Sequence, residues 1–425
     1  MGAAMNDRPP GYFGNLHQIC RCNLLLFMLQ YLCAKFFHKG GTCMLLHCDR
    51  ALIDGRFRAC DIRIADGRFQ QIADEGSLRP TSGEAVLDLR GKTVLPGLID
   101  SHIHGYDGAD SMDATPEALQ RMSQSLLNAG VTAFLPTTMT AKAETLLPAL
   151  RCIGEMRGKT KGAKILGAFA EGPFITAEHR GAQPLDAIAE PNQCLLSQMT
   201  EAAGGALRKV ILTPEAHGAA AFCRLLREQG IVPALGHSSA SCAEALDCIG
   251  EGASVAVHTY NGMRGLHHRE PGLLGAVLAS DAIMAELILD GIHVHPTAAQ
   301  ILLRAKGEDS VILISDCMRA GGMADGDYML GDTKCLVRNG IARTVEGNLA
   351  GSTLALIDAV KNAVTLLGLP LETAVKLASE NPAKSLGLFE ELGSIAEGKC
   401  ADLIAIDERM CVCDVLVDGA VKLSS

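Results

Sequence analysis

Eight short apolar segments recur along this chain, and most are separated by stretches with helical periodicity. They read TVLPGLID, VTAFLPTT, KILGAFAE, RKVILTPE, IVPALGHS, SVAVHTYN, AELILDGI and VILISDCM. Continuous apolar runs of this length suit strands buried on both faces, as in parallel sheets. Between them lie helical candidates such as 116–129, 216–229 and 240–249, with Gly130 and Gly230 placed where a helix should stop. Eight such units predict a (β/α)8 barrel. An open doubly wound sheet is the competing layout, but no GxGxxG follows the first strand.

The flanks have a different period. CDIRIADGRFQQIA alternates around Asp66-Gly67, a two-residue hairpin signal. Strand-like pieces return at the other end in ADLIAID, CVCDVLVDG and AVKLSS. A small β-sandwich built from both termini is therefore expected, over 44–95 and 390–425, around a barrel over 96–389. Residues 1–43 fit neither pattern. Their apolar run CRCNLLLFMLQYLCAKFF is too short and too interrupted for a transmembrane helix, and lacks the flanks of a signal peptide. They are read as an atypical extension, disordered or translated from a misplaced start.

The balance of 38 basic against 48 acidic residues gives a net charge of −10, with no Lys/Arg-rich block. Nucleic acid is therefore excluded as a partner, and a membrane is not expected. A small anionic substrate would need a local cationic pocket. The 16 cysteines form no CxxC pair or zinc-finger ladder. The CxC pairs Cys20/Cys22 and Cys411/Cys413 are read with the rest as reduced cytosolic thiols.

In a barrel of this kind chemistry sits at the C-terminal strand ends. The first strand ends in His102 and His104, the third in Glu171 and the fifth in His237. The sixth ends in His258, the seventh leads to His293 and the eighth ends in Asp316. A lone His-x-His pair is weak evidence, but this whole set at one end of the barrel predicts a hydrolytic metal centre for Zn2+ or Fe2+. Such an ion lowers the pKa of a bound water, and a nearby carboxylate can carry its proton to a leaving group. Asp316 is the candidate for that carboxylate. His293 is read either as polarising a substrate carbonyl or as hydrogen-bonding in the barrel mouth. His295 is read as structural.

The motifs PGLIDSHIHG, AEGPFI, GHSSA, HTYNGMRGLHHREPG, DGIHVHP, SDCMRAGG, NLAGSTL and ASENPAKSLGL carry a further reading. With them the chain, from Met44 onward, resembles the N-acetylglucosamine-6-phosphate deacetylases of the amidohydrolase superfamily. The resemblance implies hydrolysis of an N-acetyl group to acetate and glucosamine 6-phosphate, by a cytoplasmic homodimer. It implies Glu171, His237 and His258 as principal metal ligands, Asp316 as acid and base, and His293 at the reacting amide. Asn261 and Gly262 match a loop that holds the sugar phosphate, and Arg269 matches its phosphate-binding arginine, whose planar fork suits phosphate. Leu349, Ala350 and Gly351 match a further substrate loop. Some relatives lack the first-strand histidine pair and use one ion; this chain keeps His102 and His104, so a second ion with Glu171 as bridge is open to it. Where many relatives carry histidine this chain has Gln183, which with Ala182 should line the sugar site.

Three other functions compete. Opening of a cyclic amide would place a carboxylated lysine at the end of the fourth strand, yet Lys209 lies at its start. Deacetylation of the galacto epimer is hardly separable by motif. An inactive sugar-phosphate-binding protein should have lost a ligand or the acid/base, and none is missing.

Overall fold

A computed structural model describes residues 43–424; the extension expected over 1–43 lies, apart from Cys43, outside the described residues. Eight parallel barrel strands follow one another in chain order. They are Leu98–Ile103, Val131–Thr138, Ala168–Ala170, Leu207–Leu212, Val232–Leu235, Val255–Ala256, Met284–Ile288 and Val311–Ile314. Each is hydrogen-bonded to the next. Apolar residues fill them because both faces are covered: Val131–Thr138 and Leu98–Ile103 are buried throughout. Phe169, fully buried inside the third strand, contributes about 1.5–3 kcal/mol from burial alone.

The eighth strand meets the first through bonds just past their ends. Asp316 N donates to His102 O at 2.9 Å, and His104 N donates to Cys317 O at 2.9 Å. The buried Asp100 carboxylate adds to this seam, accepting from Ser315 N at 3.3 Å and His102 N at 3.4 Å. The barrel thus closes at the rim where the polar residues stand.

Helices return the chain between strands. The expected helix over 116–129 starts at a Thr115 cap with Pro116 in its first turn, tightens after Ser125 and stops at Gly130, φ +73°. The other two named stretches are helical over Ala219–Glu228 and Cys242–Gly250. A three-stranded antiparallel sheet, Gly326–Leu330, Thr333–Arg338 and Ile341–Thr344, follows the eighth strand. It was not expected from sequence.

Both chain ends do build the second sheet. Thr93–Pro96 pairs antiparallel with Leu403–Ile406, Leu95 opposite Ile404. The strands form one continuous ladder, kinked by a bulge between Cys48 and Ala51. Their inward residues, among them Leu46, Ile62, Phe69, Val94 and Leu403, enclose a core of their own. No helix among the described residues is long and apolar enough to cross a membrane.

Candidate metal centre and active site

Three of the residues at the barrel mouth leave their strands in the left-handed region: His237 at φ +46°, His258 at +29° and Asp316 at +46°. For residues other than glycine such backbone costs on the order of 1–3 kcal/mol and gathers at functional sites. Here it turns each side chain inward at the end of a strand. Glu171 is fixed differently. Its N–H donates to Thr138 O at 3.1 Å, and Thr140 Oγ1 donates to its carbonyl at 3.3 Å. Thr140 packs against Gly172, where a Cβ would lie 2.0 Å from its hydroxyl oxygen; only glycine permits that approach.

The four histidines share one orientation. Nδ1 of His237 faces His179 O at 2.7 Å, that of His258 faces Asn261 O at 3.1 Å, and that of His104 faces Thr137 O at 3.2 Å. Nδ1 of His102 faces Glu286 Oε2 at 2.9 Å. A carbonyl or an ionised carboxylate only accepts, so each ring carries its hydrogen on Nδ1 and points a lone pair from Nε2. All four Nε2 atoms converge on acidic oxygens. Glu171 Oε1 lies 2.9 Å from His258, 3.3 Å from His237 and 3.4 Å from His102; its Oε2 lies 3.2 Å from His104. Asp316 Oδ1 is 3.2 Å from His104 and 3.5 Å from His102. The Nε2 atoms of His237 and His258 are 3.1 Å apart, and His102 Nε2 is buried with no hydrogen-bond partner.

Acceptors facing acceptors at these distances require positive charge between them. If protons alone supply it, the rings must hold them tightly. Burial disfavours a charged His102, but the Asp316, Glu171 and Glu286 carboxylates outweigh it and lift the ring to about 9. His104 is lifted well above the usual histidine range against the same burial, by Asp316 and Glu171. Burial works to raise the Glu171 carboxyl, yet His102, His104 and His237 hold it well below the carboxylate range. A divalent cation satisfies the same lone pairs without these protons. The donor sets fit: His102, His104 and Glu171 form one group, and Glu171, His237 and His258 another, the ligand atoms of each within 4.8 Å of one another. Imidazole with carboxylate is the donor chemistry of Zn2+ and Fe2+.

Above these groups opens a cavity of about 160 Å3. Among the residues foreseen from sequence, His104, Glu171, His237, His258, His293, Asp316, Ala182, Gln183, Asn261, Gly262, Leu349 and Gly351 line it. His102 lies beneath, fully buried. Ala350 packs instead into the core of the inserted sheet with Met318 and Leu330. Arg269 stands outside the lining, exposed, its Nη1 3.0 Å from His268 Nε2. His293 lies beyond the seventh strand in a turn capped by Asp290, whose Oδ2 is 2.6 Å from His293 Nδ1. Only Nε2 of that ring is left for a ligand. His295 caps the next helix, accepting from Thr297 N.

Gln183 has more to do than line the cavity. Its Nε2 donates to Glu171 Oε2 at 2.6 Å and its Oε1 accepts from Thr140 N at 2.8 Å. Two charged residues escaped the sequence reading altogether as neighbours of the site. Glu286 touches His102, and Lys209 donates to Glu286 at 2.5 Å from below. For Glu286 the signal was present: it is a lone charge inside the apolar strand Met284–Ile288, and fully buried charges are paired.

A model of the amidohydrolase family matches residues 93–422, which span the whole barrel and the C-terminal strands. The chain belongs to the amidohydrolase family. Within that family it is 42% identical over 327 residues to the N-acetylglucosamine-6-phosphate deacetylase of Vibrio furnissii, covering 77% of this chain and 82% of that one. It is 39% identical over 360 residues to the N-acetylgalactosamine-6-phosphate deacetylase of Escherichia coli O157:H7, covering 84% and 93%. Among solved amidohydrolases, a mutant N-acetyl-D-glucosamine-6-phosphate deacetylase of Mycobacterium smegmatis in complex with N-acetyl-D-glucosamine-6-phosphate superimposes with a TM-score of 0.84. It is 30% identical and covers 90% of this chain and 100% of that one.

Proposed function

We propose that this amidohydrolase removes the acetyl group of N-acetylglucosamine 6-phosphate, giving acetate and glucosamine 6-phosphate. The observation that carries the reading is the convergence of four Nε2 atoms on Glu171 beside a second acid, Asp316, whose Oδ1 lies 3.2 Å from His104, at one small cavity. The similarity to deacetylases supplies the substrate class. Glu171, His237 and His258 would hold one divalent ion, zinc or iron, and His102 and His104 with Glu171 a second. Such an ion lowers the pKa of water and polarises a carbonyl oxygen.

The chain's own groups perform the rest. Asp316 accepts the proton of the attacking water and passes it to the amide nitrogen as the C–N bond breaks, leaving acetate and a free amine. His293, whose Nδ1–H donates to Asp290, carries a hydrogen on both ring nitrogens in this role, and its Nε2–H donates to the acetamide oxygen, where negative charge develops. Asn261 and Gly262, with Ala182 and the Leu349–Gly351 loop, shape the sugar site. Arg269 pairs with no carboxylate among the described residues and is assigned to the phosphate; anchoring it orients the amide.

A cytosolic homodimer belongs to the same reading. All cysteines among the described residues are free, as a reducing compartment requires. The galacto epimer is the second reading, favoured by the Escherichia coli O157:H7 relative. Acetate release from the two epimers, measured side by side on one sample of known metal content, decides between them. No release from either with metal bound sinks both.

A further inference from the structure

We propose that Lys209 and Glu286 are a buried positioning pair that fixes the His102 ring for a second metal ion. The proposal rests on the two-ion reading above and adds what makes the second position work.

The pair sits under the site, on the fourth and seventh barrel strands. Lys209, Glu286 and His102 are at most 1% exposed. Lys209 Nζ donates to Glu286 Oε1 at 2.5 Å and to Ser101 O at 2.8 Å, and lies 4.0 Å from the centre of the Phe169 ring. Phe169 in turn meets His102 edge to face, centroids 4.8 Å apart. The other Glu286 oxygen, Oε2, faces His102 Nδ1 at 2.9 Å. Ammonium, carboxylate and imidazole therefore form one chain, with the aromatic ring wedged beside it.

The other three histidines are oriented by backbone carbonyls. His102 alone of the four is oriented by a charged side chain, and that charge is itself neutralised by Lys209. A carboxylate on Nδ1 fixes the ring hydrogen there, frees Nε2 and raises its basicity as a ligand. The unpartnered Nε2 points to Glu171 and Asp316, where the second ion would lie. Lys209 keeps Glu286 from adding an unbalanced buried charge beneath the ion. This also gives Lys209 a role as a cation, which a carboxylated lysine could not fill.

The test is zinc binding to metal-free protein, read by equilibrium dialysis and elemental analysis. It uses the wild type, Glu286→Gln, and Lys209→Met combined with Glu286→Leu. The double variant removes both charges together and leaves no unpaired ion in the core. Wild type is expected to bind two equivalents. The variants are expected to keep the first and to bind the second about 10–100-fold more weakly. A pair with a merely structural role would lower thermal stability and leave the two affinities in their wild-type ratio; that result overturns the proposal alone. A wild type saturating at one equivalent overturns the two-ion reading, and the proposal with it. No substrate is present, so failure of the deacetylase reading is scored separately. If neither variant folds, 15N-histidine spectra of zinc-loaded wild type settle the point, with His102→Gln used for assignment. The expected signature is a protonated Nδ1 and a coordinated Nε2 on His102, and coordination through Nδ1 overturns the proposal.

Discussion

Replacing Asp316 by asparagine separates proton transfer from everything else this residue does. Its backbone sits at φ +46°, a region that asparagine tolerates as well as aspartate does. The main chain is held independently of the side chain: Asp316 N donates to His102 O at 2.9 Å, and Ser352 N donates to Asp316 O at 2.7 Å. Asparagine has nearly the same shape, and its amide oxygen can still face His104, 3.2 Å from the present Oδ1. What it cannot do is take a proton from water and return it to nitrogen. General acid–base catalysis contributes about 10²–10⁴-fold, or roughly 3–5 kcal/mol of barrier. Asp316→Asn should therefore lose that factor in kcat, with KM, metal content and thermal midpoint close to wild type. Acetate release under saturating substrate, with metal assayed on the same preparation, measures it. A variant that keeps its metal and turns over within about tenfold of wild type refutes the assignment.

Other perturbations read other parts of the site. Gly262 lies at φ +60°, and a Cβ there would come within 3.0 Å of His237 Nδ1; Gly262→Ala should cost about 1–2 kcal/mol in backbone strain and weaken zinc binding by shifting that ring, and an unchanged zinc isotherm would count against the geometry. Removing metal with a chelator should abolish acetate release and lower the thermal midpoint, both restored by added Zn2+; turnover by demonstrably metal-free protein would sink the metal reading. Arg269→Ala should raise KM about 10–100-fold with little change in kcat, the worth of charge-assisted hydrogen bonds to one phosphate; an unaltered KM would remove Arg269 from the phosphate site.

The barrel was legible because its strands are buried on both faces and so read as uninterrupted apolar runs. The candidate metal groups were legible because four of those runs, the first, third, fifth and sixth, end in a histidine or glutamate that an apolar core would not place there. What escaped lies where side chains turn away from that simple rule. Gln183 follows a loop motif, and nothing in its spacing says that its amide reaches back to Glu171 and Thr140. The inserted sheet after the eighth strand is built of short, mostly half-exposed strands such as Gly326–Leu330, whose pattern is weak. Lys209 was judged by its height on the fourth strand, but a lysine reaches several ångströms along the barrel axis, and its ammonium arrives beneath His102's partner.

The seam between the first and eighth strands explains why the site stands where it does. Strand neighbours elsewhere are joined by ladder bonds within the strands, but this pair is joined through His102 O, His104 N, Asp316 N and Cys317 O. The residues that close the barrel are thus the residues proposed to carry the chemistry, or their neighbours in the chain. Closure fixes the Asp316 carboxylate against the two imidazoles, and Asp100 ties the same seam from within, its buried carboxyl pushed up to about 6. A change that loosened this seam would separate the acid from the metal groups before it unfolded the barrel. Catalysis and metal binding should therefore fail together with seam substitutions such as Asp100→Ala, whereas Asp316→Asn should part them.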